Sequence, residues 1–186
     1  MENGNRCKMI LIIKTPNKKL HDLEFVKPIE DILKRNKLEF ISAHYSKINQ
    51  ELLKNADKII ISGTSLKDNT YLDSICEFNW IEDFDRPILG ICGGMHILGL
   101  VYNGEIKKRQ EIGLTEIVVK DIFLGFQGKH LVYELHNLNV ESKNYDIAAT
   151  SESSIQAIKH KKKPFFGVQF HPEVRNKNLI INFVNL

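Results

Sequence analysis

The sequence predicts an α/β protein with a mostly parallel open sheet, helices on both faces, and a partly antiparallel extension in its second half. In the first half, short runs rich in β-branched residues alternate with amphipathic stretches, a pattern that is typical of βαβ units. The segment 87–91 is almost continuously apolar, as strands buried on both faces are. After Gly104 the apolar segments become short and alternate with polar residues, which is typical of antiparallel strands.

The first half contains strand-like runs connected by helical patterns. The predicted strands are 9–13, 39–45, 58–62 and 87–91, and the predicted helices are 23–37, 48–55 and 71–83. Strands that are connected through helices run parallel, and the helices cover both faces of the sheet.

The second half is predicted to contain shorter strands and a closing helix. Alternating segments occupy 116–120, 131–135 and 147–150; two more strand-like segments, 155–158 and 164–169, flank the basic run 159–163, and a helix covers 177–184. The basic run is most simply a solvated hairpin connection. No internal repeat or Pro/Gly/Ser-rich linker interrupts the chain, so residues 1–186 are expected to form a single domain.

Length and composition favour a globular protein with one core. At 186 residues the chain is long enough to bury a sizeable apolar core, and its 42% apolar and 26% charged residues match ordinary globular proteins. The formal net charge of +3 is not concentrated in a dominant basic tract, so no nucleic-acid partner is expected. The longest apolar run, 9–13, is strand-sized, so no membrane partner is expected either.

Cysteine and histidine usage predicts a reduced, cytoplasmic setting and no metal. The three cysteines, Cys7, Cys76 and Cys92, have no CxxC spacing, and residues 1–8 lack the apolar stretch of a signal peptide. Cys7 and Cys76 are interpreted as small buried residues. None of the seven histidines stands at a spacing from Cys, Asp or Glu that is typical of zinc sites.

The segment 87–99 has the pattern of a nucleophile elbow. A buried strand ends at Cys92, Gly90 precedes it, Gly93 and Gly94 follow it, and an apolar helix comes next. Glycine lets neighbouring backbone pass close to a nucleophile on a sharp strand-to-helix corner. At a helix N-terminus, the dipole and free N–H groups favour a thiolate and can stabilise an oxyanion. The alternative is a small buried cysteine before a glycine-rich turn.

The segment 166–174 supplies a histidine and a carboxylate that a cysteine nucleophile can use. Residues two apart in extended backbone share a face, so Glu173 can approach one imidazole nitrogen of His171. That contact would fix the tautomer and turn the other nitrogen toward the nucleophile. A His-Pro-Glu sequence alone is more often a turn.

Together the two segments resemble the class I (triad-type) glutamine amidotransferases, whose signatures are a Gly-x-Cys-x-Gly elbow and a Gly-Val-Gln-Phe-His-Pro-Glu segment. The resemblance extends over nearly the whole chain. It implies a flavodoxin-like α/β fold and a triad of Cys92, His171 and Glu173. It also implies that L-glutamine is hydrolysed to glutamate and ammonia through a γ-glutamyl thioester.

Two shorter segments, 62–65 and 133–138, resemble substrate-binding elements of this family. Ser62-Gly63-Thr64-Ser65 stands where the family usually has Ser-Gly-Gly-Pro. In the family this loop lends backbone N–H groups to the oxyanion. The resemblance therefore implies oxyanion donors at the N–H groups of Gly63 and Gly93.

The segment 133–138 resembles the one that holds the α-amino and α-carboxylate groups of glutamine through backbone atoms. His136 stands at the family's histidine, and Asn137 and Leu138 would make the contacts; the alternative is an ordinary strand end with an exposed histidine. His96 stands where the family commonly has a glutamine that touches the substrate. It could instead be a neutral histidine that fills the space with one hydrogen bond.

The resemblance also implies a partner, because stand-alone amidotransferase subunits pass ammonia to a synthase. Within the family the chain looks most like the glutaminase subunit of two-subunit GMP synthases. ATP and magnesium would then belong to the synthase, and no cofactor is expected in this chain. A glutaminase subunit for another synthase is an alternative.

Three other functions are alternatives to a synthase-coupled glutaminase. A γ-glutamyl hydrolase or peptidase shares the triad but needs no synthase. A regulatory subunit of the same fold would have no physical need for all of Cys92, His171 and Glu173. In the PfpI-type cysteine-elbow proteins a histidine commonly follows the cysteine directly, whereas here Gly93 does.

Overall fold

One nine-stranded sheet runs through the computed structural model, which describes residues 9–186. The strands are β1 (Ile10–Lys14), β2 (Phe40–His44), β3 (Lys58–Ile61), β4 (Ile88–Ile91), β5 (Glu105–Phe123), β6 (Phe126–Glu141), β7 (Tyr145–Thr150), β8 (Ile155–His160) and β9 (Phe165–Val168). They lie in the order β2-β1-β3-β4-β9-β8-β7-β5-β6.

The sheet has a parallel half and an antiparallel half, as the sequence predicts. Strands β2, β1, β3, β4 and β9 are paired in parallel, and β9, β8, β7, β5 and β6 are paired antiparallel. Strand β9 lies directly beside β4, with Val168 opposite Ile91. Because carboxyl ends of parallel strands meet at one edge of a sheet, this pairing brings the residues after β4 next to those after β9.

Helices cover both faces of the parallel half. They are α1 (Lys19–His21), α2 (Lys27–Arg35), α3 (Gln50–Asn55), α4 (Thr70–Asp73), α5 (Gly93–Val101) and α6 (Asn178–Val184). In β1, Ile10 and Ile12 belong to a core layer with α2 and α6, whereas Leu11 and Ile13 belong to the layer with α5. The period of two along a strand thus supplies both layers.

Two predicted helices differ from those in the structure. The helix expected over 23–37 includes a π-helical turn, Asp22–Val26, before α2, which ends at Arg35. The helix expected over 71–83 is instead the single turn α4 followed by a 3₁₀ helix, Ile75–Asp83. There, Phe78 and Ile81 are fully buried three residues apart, and a 3₁₀ helix with three residues per turn places such residues on one face.

The predicted segments 116–120 and 131–135 are the central parts of a much longer hairpin. Strand β5 has 19 residues and β6 has 16, and they are joined by Leu124 and Gly125, whose φ values of +47° and +79° form a tight turn. Residues 105–111 of β5 include five charged residues, and the outer parts of β6 are largely polar, so the apolar pattern there is weak.

Cys76 is exposed, so the prediction that it is a small buried residue is wrong. It lies on the 3₁₀ helix, where Phe78 and Ile81 face the core instead. Cys7 lies outside the described residues. No helix within residues 9–186 is long and apolar enough to cross a membrane.

Candidate active site

The corner between β4 and α5 holds Cys92 in a strained conformation. Cys92 has φ +48° and ψ −105°, a region that side chains other than glycine rarely adopt. A Cβ on Gly90 would lie 2.4 Å from the Gly94 carbonyl oxygen, and one on Gly94 would lie 2.3 Å from that of Ile61. The glycines therefore let the corner pack directly on β3, and Cys92 precedes the N-terminus of α5.

His171 and Glu173 form a buried pair next to this corner. Nδ1 of His171 lies 2.7 Å from Oε1 of Glu173, and both side chains are at most 1% exposed. A carboxylate accepts, so Nδ1 carries the proton in this bond and Nε2 is left for another group. In the structure Nε2 has no hydrogen bond to the described residues, and the Cys92 thiol is near enough to interact with the ring.

The environment of His171 favours its charged form. Burial by itself lowers the pKa of His171, but the Glu173 carboxylate and the Cys92 side chain outweigh it and raise the pKa well above the usual 6.5. The ring of Phe25, from the π-helical turn, packs against the imidazole with centroids 5.4 Å apart. A protonated imidazole beside a cysteine is the arrangement that stabilises a thiolate.

Gly63 lies against two members of the predicted triad. A Cβ at Gly63 would be 2.8 Å from Cε1 of His171 and 3.2 Å from Cβ of Cys92. Thr15, fully buried at the end of β1, donates from Oγ1 to the Gly63 carbonyl at 2.9 Å and also contacts Ser62. Sequence patterns did not indicate Thr15 or Phe25, since each belongs to a segment far from the motifs.

His96 lies in a chain of hydrogen bonds that leads to the nucleophile. Its Nδ1 is 2.7 Å from the Tyr71 hydroxyl and its Nε2 is 3.0 Å from Oε1 of Gln169. The amide oxygen only accepts, so Nε2 donates and Nδ1 accepts from Tyr71. Nε2 of Gln169 in turn donates to Sγ of Cys92 at 3.8 Å.

His96 is therefore a neutral histidine with two hydrogen bonds rather than one. Burial lowers the pKa of His96 to about 4, which agrees with one accepting and one donating nitrogen. We call Tyr71, His96 and Gln169 the buried relay.

Strand β6 forms the wall of the cleft opposite the elbow. The Cys92 thiol lies 3.9 Å from the Leu135 carbonyl oxygen, and the Nδ2 of Asn137 donates across the cleft to the Leu66 carbonyl at 3.2 Å. The backbone of the next residue, Leu138, contacts the His96 side chain. The residues lining the cleft are Thr64, Ser65, Leu66, Asn69, Tyr71, Cys92, His96, Leu135, His136 and Asn137.

His136 lies within β6 and is 2% exposed, so the alternative of an exposed strand-end histidine is wrong. Its Nδ1 donates to the Arg109 carbonyl at 3.0 Å, and its Nε2 faces Glu111 and Glu134. The imidazole is thus held by β5 and by carboxylates beside the cleft.

The family model for glutamine amidotransferase class-I matches residues 20–183. The chain belongs to this family. The match includes the elbow at Cys92 and the segment of His171 and Glu173, and it confirms the family and the enzyme class that the sequence predicts.

Curated relatives agree with this membership, and a solved structure has the same fold. A glutamine-hydrolysing GMP synthase subunit of Pyrococcus abyssi is 35% identical over 145 residues, which cover 71% of this chain and 76% of the relative. The corresponding subunit of Archaeoglobus fulgidus is 31% identical over 148 residues, 73% of this chain and 79% of the relative. The crystal structure of a Thermoplasma acidophilum protein described as a GMP synthase subunit has a TM-score of 0.86 at 22% identity, covering 98% of this amidotransferase and 94% of that chain.

Some relatives are much longer than this chain, which matches only part of their length. The GMP synthase of Spiroplasma kunkelii is 38% identical over 109 residues, which are 53% of this chain but 21% of the synthase. The match to this amidotransferase therefore spans about a fifth of that protein.

Proposed function

We propose that this amidotransferase hydrolyses L-glutamine to glutamate and ammonia with Cys92 as the nucleophile. The observation that carries the proposal is the strained Cys92 at the start of α5 beside a buried His171 whose pKa Glu173 raises. The thiolate attacks the side-chain amide carbon of glutamine, and the imidazolium of His171 gives its proton to the departing ammonia. The neutral imidazole then takes a proton from water, the hydroxide adds to the thioester, and glutamate leaves as the thiolate re-forms.

The N–H groups of Gly63 and Gly93 are proposed to stabilise the oxyanion. Gly93 is the first residue of α5, and Gly63 is packed against Cys92 and His171. Backbone donors do not depend on side-chain identity, so Thr64 and Ser65 in place of the usual Gly and Pro leave them available.

The α-amino and α-carboxylate groups of glutamine are proposed to bind the backbone of Asn137 and Leu138. Asn137 lines the cleft, and Leu138 follows it toward His96. The side chains of His96 and His136 support this wall, since His96 is hydrogen-bonded to buried Gln169 and His136 to the β5 backbone at Arg109. Their part in substrate binding is then to hold the backbone in place.

The ammonia is proposed to pass to a synthase partner in the cytoplasm. The names of the P. abyssi and A. fulgidus relatives, which are glutamine-hydrolysing GMP synthase subunits, support a GMP synthase partner. Free ammonia is largely protonated in neutral water and then is not a nucleophile, so a protected path to the acceptor is needed. ATP and magnesium would bind to that partner.

Glutamate release from L-glutamine by the purified chain tests the proposal. We expect slow turnover that Cys92→Ala abolishes and that Cys76→Ala, which removes the exposed thiol, leaves unchanged. Preference for γ-glutamyl peptides over glutamine would show a hydrolase or peptidase instead. Absence of turnover with and without a synthase, together with alkylation of Cys92 no faster than of Cys76, would contradict the proposal.

A further inference from the structure

A cluster of two carboxylates and one imidazole lies between β5 and β6, behind the cleft wall. Nε2 of His136 is 3.2 Å from Oε2 of Glu134 and 3.3 Å from Oε2 of Glu111. The side chains of His136 and Glu134 are 1% and 0% exposed, and that of Glu111 is 11% exposed. We call these residues the hairpin cluster.

The polar atoms of this cluster are close together without being hydrogen-bonded to each other. Neither contact of Nε2 has hydrogen-bond geometry, and both oxygens of Glu134 also lack a hydrogen bond to the described residues. Two ionised carboxylates outnumber one imidazole, so the cluster has a net negative charge even when His136 is protonated. Burying a carboxylate in this state is costly unless a cation or hydrogen bonds compensate it.

The remaining contacts orient these side chains toward one point. Nδ1 of His136 donates to the Arg109 carbonyl at 3.0 Å, which leaves Nε2 as the free nitrogen. Glu111 accepts a hydrogen bond from Ser153 at Oε1 and from Ser154 and Gln156 at Oε2, so a metal at Oε2 would replace one of the last two. A histidine that donates its second ring N–H to a carbonyl, and a carboxylate held by outer hydrogen bonds, are the usual surroundings of metal ligands.

We propose that the hairpin cluster binds one Zn²⁺ ion. The three ligand atoms lie within 4.8 Å of one another. With Zn–N and Zn–O bonds of about 2.0–2.2 Å, tetrahedral ligands are about 3.3–3.5 Å apart, close to the separations of Nε2 from both carboxylates. An imidazole with two carboxylates suits zinc better than magnesium, which prefers oxygen ligands alone. His136 also lines the cleft, which provides a path for the ion.

The metal would link β5 and β6 at the positions where β6 lines the cleft. Glu111 is paired with His136 across β5 and β6, and Glu134 and His136 flank Leu135, whose carbonyl faces Cys92. The zinc therefore fixes the wall of the cleft and takes no part in the reaction. The sequence did not predict it, because Glu111 joins the other two ligands only through strand pairing.

Equilibrium dialysis of the full chain against zinc chloride, with a competing chelator and metal analysis, tests this inference. We expect one zinc per chain, with Glu134→Gln weakening binding about a hundredfold or more, since even changes outside the ligand shell cost about ten- to a hundredfold. The matched control is Glu116→Gln, which changes an exposed carboxylate of β5. A Cys92→Ser chain shows whether the zinc is bound by the hairpin cluster or by the Cys92 thiolate.

The outcomes are distinct and do not require glutamine turnover. Zinc retained by Cys92→Ser and Glu116→Gln but lost from a folded Glu134→Gln supports the site. Zinc lost with Cys92→Ser and kept by Glu134→Gln, or no zinc bound by the unmodified chain, overturns it. If Glu134→Gln does not fold, the absorption spectrum of Co²⁺ bound to the unmodified chain decides. Visible cobalt bands without a thiolate charge-transfer band support the site. A thiolate charge-transfer band would show that Cys92 binds the metal and would overturn the proposal.

Discussion

Gly63 is the glycine of the site at which an added side chain would meet the His171 imidazole directly. The space for its missing side chain is occupied by Cε1 of His171 at 2.8 Å. We expect Gly63→Ala to push the imidazole aside and to lower kcat for glutamine about a hundredfold, because a displacement of about 1 Å has that effect on catalysis. Glutamate release measures it, with Ser46→Ala, at an exposed position outside the cleft, as the control. An unchanged kcat in a folded Gly63→Ala chain would show that His171 does not need this position.

Glu173 is expected to make the stability of the fold depend on pH through His171. The pKa of His171 is raised on folding, so the protonated ring stabilises the fold below about 6.5, and this contribution disappears as the pH rises through the folded value. The substitution Glu173→Gln removes the carboxylate charge that raises the pKa of His171. The deficit in free energy of unfolding should therefore be largest in mildly acidic buffer and shrink toward alkaline pH. Urea denaturation across pH measures this, and a deficit independent of pH would contradict the charged pair.

At the scale of elements, the buried relay joins α4, α5 and the segment after β9. Tyr71 is 1% exposed and donates to Nδ1 of His96. Tyr71→Phe leaves that nitrogen buried without its partner, and we expect a loss of about 1–3 kcal/mol in the free energy of unfolding. Tyr133→Phe on β6, which is half-buried, is the control. Ring ¹⁵N shifts should show His96 neutral near pH 6, since its pKa is about 4; an imidazolium there would refute the relay.

Some elements could be predicted from local pattern and others depend on contacts far along the chain. The strands from β1 to β4 and the corner at Cys92 follow from apolar runs and glycines, which are local signals. The length of the β5–β6 hairpin was missed because the start of β5 is charged and the outer parts of β6 are largely polar, and the 3₁₀ helix was missed because a spacing of three resembles an α-helical pattern. In the site, the sequence predicted the motif residues, whereas the places of Thr15, Phe25 and the hairpin cluster depend on contacts between segments distant in sequence.

At the scale of the whole molecule, the insertion of β9 beside β4 assembles the site. The two motifs are far apart in sequence, yet Val168 lies opposite Ile91, so His171 and Cys92 follow neighbouring strand ends. The hairpin closes the other side of the cleft through Leu135. The site is therefore shared by the parallel half and the antiparallel half of the sheet.

Asn137 connects the two sides of this cleft and is expected to restrain glutamine entry. Its Nδ2 donates to the Leu66 carbonyl at 3.2 Å, and Cys92 in the same cleft is 5% exposed, so opening of this bond is expected to ease the access of glutamine to the thiol. We expect weak turnover by the isolated chain and stimulation of about tenfold or more by a GMP synthase partner with its nucleotide, as for other gated sites.

Asn137→Ala keeps the backbone proposed to bind the substrate but removes the bond to Leu66, so it should raise the basal rate severalfold and reduce the stimulation. Asn79→Ala, at an exposed position of the 3₁₀ helix, is the matched control. Glutamate release measured against partner concentration separates the possibilities. An Asn137→Ala chain with an unchanged basal rate and full stimulation would show that the partner opens the cleft elsewhere, whereas stimulation of neither chain would contradict the transfer of ammonia to that partner.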